Sequence, residues 1–132
     1  MSFLPWESIV RLFVAFLLGS ALGLERELNK KPAGLRTHVV ISLASALYTL
    51  LSLNAVFGGG ADPSRIASQV VVGMGFVGAG VIISTGGQVR GVTTASSLWL
   101  TAAVGMASGL GEFTLGIVHR FSYYCSLGLY DP

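Results

Sequence analysis

Charged residues divide the chain into long apolar runs. Residues 37–61, 66–89 and 91–111 contain no Asp, Glu, Lys or Arg, which gives charge-free stretches of 25, 24 and 21 residues. A helix needs about 20 mostly apolar residues to cross the hydrocarbon layer of a bilayer, so each stretch is long enough. A fourth run, IVRLFVAFLLGSALGL at 9–24, carries one charge, Arg11, near an end from which it can snorkel to the interface. The pattern predicts helices at roughly 7–24, 37–57, 66–84 and 92–108. Together they make an all-α, polytopic transmembrane helix bundle, with a fifth helix in doubt after Gly111.

Small residues punctuate these helices. Within VVVGMGFVGAGVI (70–82), Gly73, Gly75 and Gly78 match the G-x-G-x-x-G spacing of a dinucleotide-binding turn. That motif needs a strand before it, an amphipathic helix after it and a carboxylate about twenty positions on. Here the flanks are long and apolar, and the next acidic residue is Glu112. No nucleotide or other cofactor is expected. Read as helix, the same glycines fall on two faces, Gly73 with Gly80 on one and Gly75 with Gly78 near the other. Small residues let helix backbones approach closely in lipid, so the third helix is expected at the centre of the bundle. Helix 1 has a similar stripe, Ala15, Gly19 and Gly23, and helix 4 is rich in Ala, Ser and Thr. Tight packing with little room for a wide pore follows.

Composition sharpens this picture. Only 11% of the 132 residues are charged, against roughly 25% in soluble domains, and mean hydropathy is +0.73. The net charge of +2 comes without a dense basic tract, so nucleic acid is not a partner. One cysteine, Cys125, excludes an intrachain disulfide. The first run lacks a positively charged n-region and a clear cleavage site, so it reads as a retained anchor rather than a signal peptide.

Orientation follows from the basic residues. The connection ERELNKKPAGLR (25–36) holds Arg26, Lys30, Lys31 and Arg36, four of the eight in the chain. The positive-inside rule puts it in the cytoplasm and the N-terminus and 58–65 loop outside.

Candidate chemistry sits at the helix ends. Asp62-Pro63-Ser64-Arg65 reads first as helix-start chemistry, with Asp at the N-cap and Pro at the first helical position. A functional reading makes Asp62 and Arg65 an ion or ligand entry, with Gln69 one turn farther in. On the other side Glu25, Arg26, Glu27, Arg36, Thr37 and His38 gather carboxylates, guanidiniums and an imidazole, and Arg90 with Thr93 and Thr94 falls on the same side. These are interface anchors, or a surface for a partner protein or anion, with Arg90 as a candidate partner for Glu25 or Glu27. Mg²⁺ accepts as few as two carboxylates because it keeps several waters. Yet Glu25 and Glu27, two apart on a helix, do not face each other, so a metal site is permitted rather than indicated. His38 and Asp62 are a bilayer apart and cannot share a catalytic triad, so no enzyme is expected.

Three blocks carry a resemblance: GLERE with K-x-AGLRTH (23–38), DPSRIASQVVVGMGFVGAGVI (62–82) and VRGVTTASSLWLTAAVGMASG (89–109). Over about residues 8–111 the chain resembles the MgtC/SapB family of bacterial inner-membrane proteins. The resemblance implies a small membrane domain, usually of five helices with the N-terminus outside, and a role in growth under Mg²⁺ limitation and in intracellular survival of pathogens. Its polar motifs match Glu25, Arg26, Glu27, Arg36, Thr37, His38, Asp62, Arg65, Gln69, Arg90, Thr93 and Thr94. After Gly111 the tail EFTLGIVHRFSYYCSLGLYDP departs, with His119 and Arg120 mid-span and aromatics suited to an interface. The expected organisation is a transmembrane domain over 1–111, then a divergent or truncated fifth-helix segment over 112–132, without the soluble domain some members add. Transporters usually place ionisable groups at membrane depth, whereas helices 2 to 4 offer only Ser, Thr, Asn54 and Gln69. The expected function is therefore regulation of other membrane proteins, with self-association as a further contact, and the alternative is transport of Mg²⁺ or another small ion.

Overall fold

A computed structural model describes residues 5–57, 62–85 and 87–117. Four helices run through it: α1 (Pro5–Leu28), α2 (Leu35–Phe57), α3 (Arg65–Val81) and α4 (Val92–Leu110), with a hairpin of β1 (Ile83–Thr85) and β2 (Gln88–Arg90) between the last two. The fold is an all-α bundle, and the hairpin is the one departure among the described residues. The Ile-Ile-Ser-Thr run after α3 favours extended backbone, and Gly87 at φ 79° supplies a left-handed turn residue. The strands pair antiparallel with Ile83 opposite Arg90. Residues 113–117 are helical as well, and the remainder of the expected fifth-helix segment, with Cys125, His119 and Arg120, lies outside the described residues.

Trp6–Leu28 and Leu35–Asn54 are long and apolar enough to cross a membrane. The shorter α3 is an apolar helix of 17 residues. Side chains are distributed as lipid contact requires. Phe13, Leu17, Val40, Leu51, Val72 and Trp99 lie on the outside, and Phe76 is 85% exposed. The interior holds small and hydroxylated residues: Ala15, Ser42, Ser45, Ala46 and Thr49, facing Ser97, Thr101, Ala102 and Ser108. Lipid tails are as apolar as leucine, so helices associate there through close packing and hydrogen bonds rather than by hiding large side chains.

The closest packing runs along α2. On one side it meets α1, where a Cβ added to Gly19 would lie 2.6 Å from the Ser42 Cβ, and one added to Gly23 would lie 2.6 Å from the Leu35 Cα. Ser42 Oγ donates to the Ala15 carbonyl across this seam at 2.8 Å. On the other side α2 meets α4. A Cβ on Gly105 would collide with the Ser42 carbonyl oxygen, and one on Gly109 would come within 2.7 Å of the Ala46 carbonyl. Four residues apart, Gly105 and Gly109 present one flat face of α4 to α2. The described fifth segment begins on the α1–α4 side, where Gly116 sits against Leu18.

Helix α3 is not central. It docks through Met74, which packs with Leu98 and Ala102 of α4 and with Ile41 of α2, and through Gly78 beside Ala95. Gly73, Gly75 and Gly80 meet nothing within 4 Å. Glycine on two faces predicted neighbours on both, but among the described residues only one side of α3 is covered. Close approach between helices occurs at Gly19 and Gly23, as the helix 1 stripe predicts, and at Gly105 and Gly109 of α4.

The start of α3 also differs from expectation. Asp62 does not cap the helix: its Oδ1 accepts from the Ser64 N–H at 2.9 Å and the Ser64 hydroxyl at 2.7 Å, closing a turn ahead of Arg65. The first-turn N–H groups of Ile66 and Ala67 point to Ser52 Oγ on α2, at 3.2 and 3.3 Å, while that hydroxyl donates to the Pro63 carbonyl. Ser52, 1% exposed, is therefore a cap supplied across space. Ser52→Ala is expected to weaken the start of α3 by about 1 kcal/mol, as loss of a helix cap does. The check is faster amide hydrogen exchange at Ile66 and Ala67, and unchanged exchange would count against this role.

Candidate functional site

The bundle has two polar ends, and the candidate residues are divided between them. At one end α1 runs on through Glu25-Arg26-Glu27 to Leu28, because Leu, Glu and Arg are good helix formers. At 100° per residue the three charged side chains leave in three directions, and each takes a different task.

Arg26 turns inward and is 4% exposed. Its Nη2 donates to Thr94 Oγ1 in the first turn of α4 at 2.7 Å, and to the Pro32 carbonyl at 3.2 Å. One guanidinium thus joins α1, the 29–34 connection and α4. Glu27 turns outward, and its Oε2 accepts from the Leu35 N–H at 2.8 Å, placing a carboxylate where the N-terminal dipole of α2 favours negative charge. Glu25 accepts from Asn29 Nδ2 at 2.8 Å. His38 is fully buried, with Nδ1 2.9 Å from the Gly34 carbonyl oxygen. A carbonyl only accepts, so Nδ1 carries the hydrogen.

Around this cluster Arg36 and Thr37 are exposed, and with Glu27, Phe16 and Ser20 they line an open groove of about 580 Å³. Thr93 points away from Thr94 and is exposed. Arg90 is exposed on β2, and no ion pair joins it to Glu25 or Glu27 among the described residues. Gly91, at φ 91°, lets α4 begin against the end of α3, where a Cβ would collide with the Val81 carbonyl.

The opposite end holds Asp62 and Arg65, both exposed. The Ser64 N–H and then its hydroxyl hold the Asp62 carboxyl below the usual aspartate range, with Arg65 adding a smaller pull. Since the folded value is depressed, the small stabilisation from this turn is present above the ordinary aspartate pKa and is lost as pH falls through the folded one. Gln69 is exposed and lines an apolar groove of about 400 Å³ between α2 and α3 with Tyr48, Gly73 and Met74. Arg11, expected to snorkel, instead donates from Nη1 to the Gly109 carbonyl at 2.8 Å, placing a cation at the C-terminus of α4.

The structure therefore gathers Glu25, Arg26, Glu27, His38 and Thr94, leaves Arg36 and Thr37 on their rim, and separates Asp62, Arg65 and Gln69 from all of them. Glu25 and Glu27 do not converge, and no group of three or more His, Cys, Asp or Glu comes together among the described residues. The gathered set can bind hydrogen-bonding groups and hold helix ends in register. Sequence reasoning missed Ser42, Ser52, Gly105 and Gly109. The four-residue spacing of the two glycines was a readable packing signal, whereas nothing local marks either serine.

A family model described as the MgtC family matches residues 12–132, including the tail where the motifs thin out. Among curated relatives, the "Putative magnesium transporter YhiD" of Escherichia coli is 48% identical over 120 residues, covering 84% of this chain and 54% of the relative. The "Uncharacterized protein slr0014" of Synechocystis is 42% identical over 112 residues, covering 85% and 47%. "Protein MgtC" of Salmonella typhimurium is 39% identical over 123 residues, covering 93% and 52%. The chain spans about half the length of the curated relatives it matches. No solved structure matches it.

Proposed function

The chain belongs to the MgtC family of membrane proteins, and on that premise we propose that it supports adaptation to Mg²⁺ limitation by acting on other membrane proteins. It is a multi-pass protein of the bacterial inner membrane, with its N-terminus outside and the Arg26 end in the cytoplasm, as the four basic residues of 25–36 favour. In a pathogen the same role extends to survival inside host cells. It carries no catalysis of its own.

The observation that supports regulation over conduction is the α2–α4 seam. Three of its interior hydroxyls are committed to carbonyls of their own helices, Thr49 to Ser45, Thr101 to Ser97 and Ser108 to Val104, each at 2.8 to 2.9 Å, and a fourth, Ser42, to the Ala15 carbonyl of α1. Between them the backbones of Gly105 and Gly109 close directly onto α2. Ions crossing a membrane need ionisable or free polar groups along the way, and the Ser42, Thr49, Thr101 and Ser108 hydroxyls of this seam are spent. What remains available to partners is the rim of the Arg26 end, with Arg36 and Thr37 exposed beside the groove.

A second reading, transport of Mg²⁺, is favoured by the name of the Escherichia coli relative. Mg²⁺ influx into liposomes carrying the purified protein, under an imposed gradient with a trapped indicator, separates the two. Regulation expects no influx above empty liposomes. Influx that Asp62→Asn removes would make this a transporter with Asp62 on its path. In cells, Arg36→Ala is expected to impair growth at limiting Mg²⁺ while the protein stays abundant in the membrane; full growth would count against action through this rim.

A further inference from the structure

The groove of about 400 Å³ between α2 and α3 changes character along its length. Arg65, Gln69 and Gly73 are four residues apart, so they form one stripe down α3. Gln69 and Gly73 line the groove, and Arg65, exposed in the first turn of the helix, stands over its mouth. Asp62 is beside it, since the Arg65 N–H donates to the Asp62 carbonyl at 3.2 Å. One turn deeper come two polar, uncharged groups. Ser52 meets the first turn of α3, so Tyr48, one turn back along α2 and also in the groove wall, is level with Gln69. Beyond them the walls are apolar, with Ile41, Ala44, Met74 and Val77. A Cβ on Gly73 would meet nothing within 4 Å, so the floor is open there.

A charged pair, then hydrogen-bonding groups, then hydrocarbon is the order of chemistry along a phospholipid. The lengths agree as well. From Ile66 to Val77 the groove follows α3 for about 16 Å at about 1.5 Å per residue. That is close to half of the roughly 30 Å hydrocarbon thickness, the depth of one leaflet. Charge complementarity selects the headgroup. A guanidinium beside a carboxylate matches a phosphate beside an ammonium, whereas a purely anionic headgroup would set its charge against Asp62. Asp62 Oδ1 takes both bonds from Ser64, which leaves Oδ2 able to accept from an N–H. A primary ammonium has such hydrogens and a trimethylammonium has none.

We propose that the α2–α3 groove is a binding site for one phospholipid with a phosphate and a primary ammonium in its headgroup, the phosphatidylethanolamine class. Arg65 takes the phosphate and Asp62 the ammonium. Gln69 and Tyr48 lie beside the glycerol esters, and one acyl chain runs over Gly73 toward Val77. The site is separate from the Arg26 end and stands whether the protein regulates or transports.

The test is native mass spectrometry of the full chain in mild detergent, with phosphatidylethanolamine, phosphatidylglycerol and phosphatidylcholine of identical acyl chains added in turn. The expected result is one phosphatidylethanolamine retained per chain, several-fold more than either other lipid. Arg65→Gln should lower that retention about tenfold, as loss of a hydrogen bond to a charged group does. Asp62→Asn keeps an acceptor for Ser64 and should erase the preference over phosphatidylglycerol. Gly73→Leu fills the groove from an open position and should abolish retention. Gly80→Leu, equally open but outside the groove, should leave it intact. Equal retention of the three lipids, a preference for phosphatidylglycerol, or equal effects of the two leucines would each overturn the assignment. So would a dimer that Gly73→Leu dissociates, because a second copy would then fill the groove. If Gly73→Leu fails to fold, the wild type, Arg65→Gln and Asp62→Asn decide.

Discussion

Gly105→Val is expected to prevent the bundle from closing. The first carbon of the new side chain would collide with the Ser42 carbonyl oxygen and lie 2.9 Å from the Ser45 Cβ. Neither is the free end of a flexible chain, so α4 must move off α2 along the whole seam. Overpacking a tight core by a methylene or two typically costs about 1–3 kcal/mol, and a branched side chain against backbone belongs at or above the top of that range. Set against a total stability of about 5–15 kcal/mol, such a loss is visible in the thermal midpoint and monodisperse yield of detergent-solubilised protein. Gly105→Ala should show the same effect in milder form. Gly73→Ala, Gly75→Ala and Gly80→Ala supply the contrast, because nothing lies within 4 Å of any of the three. Each should be neutral or gain up to about 1 kcal/mol from replacing glycine within a helix. Damage at Gly73 comparable with that at Gly105 would mean that α3 is packed on its outer face after all.

The second large effect is expected at Arg26. Arg26→Met removes the bond to Thr94 and the bond to the Pro32 carbonyl. Hydrogen bonds to charged groups contribute about 1.5–3 kcal/mol each, so a loss of about 3 kcal/mol is expected. Arg26→Lys keeps the charge but not the planar fork that reaches two acceptors at once, and it should recover only part of the loss. Thermal unfolding of the two variants, with Thr94→Val to complete a double-mutant cycle, measures this. Additivity between Arg26→Met and Thr94→Val would refute the bond as an energetic link between α1 and α4.

Helix positions were legible because charge spacing alone dictates them. The predicted second helix, 37–57, and the observed Leu35–Phe57 differ by two residues. The end of the first helix was less clear: Glu25 to Leu28 read as a connection, yet they continue α1, because polar residues that favour helix do not stop one at a membrane surface. The hairpin at 83–90 was hidden for a related reason, since the Val-Ile-Ile run suits a buried helix and a strand equally. Residue identity showed that Arg26 and His38 were unusual, but not that both would be buried, His38 where Gly23 admits α2. The same limit explains the misplaced α3. Glycine announces that a close approach is possible, and only the neighbouring helix decides on which face, if any, it occurs.

The brevity of α3 has a consequence for the surrounding lipid. Its 17 residues, at about 1.5 Å each, span about 26 Å, less than the roughly 30 Å hydrocarbon thickness of an average bilayer. Longer α1 and α2 can tilt to match the layer, but a short helix must thin it, and such mismatch costs fractions of a kcal/mol per Å. With one face docked on Met74 and Gly78, α3 is the element that acyl-chain length acts on first. Shorter-chain lipids should hold it in place and longer-chain lipids should loosen it, as amide exchange along 65–81 in bilayers of graded thickness would report. The bundle is thereby matched to a thin membrane.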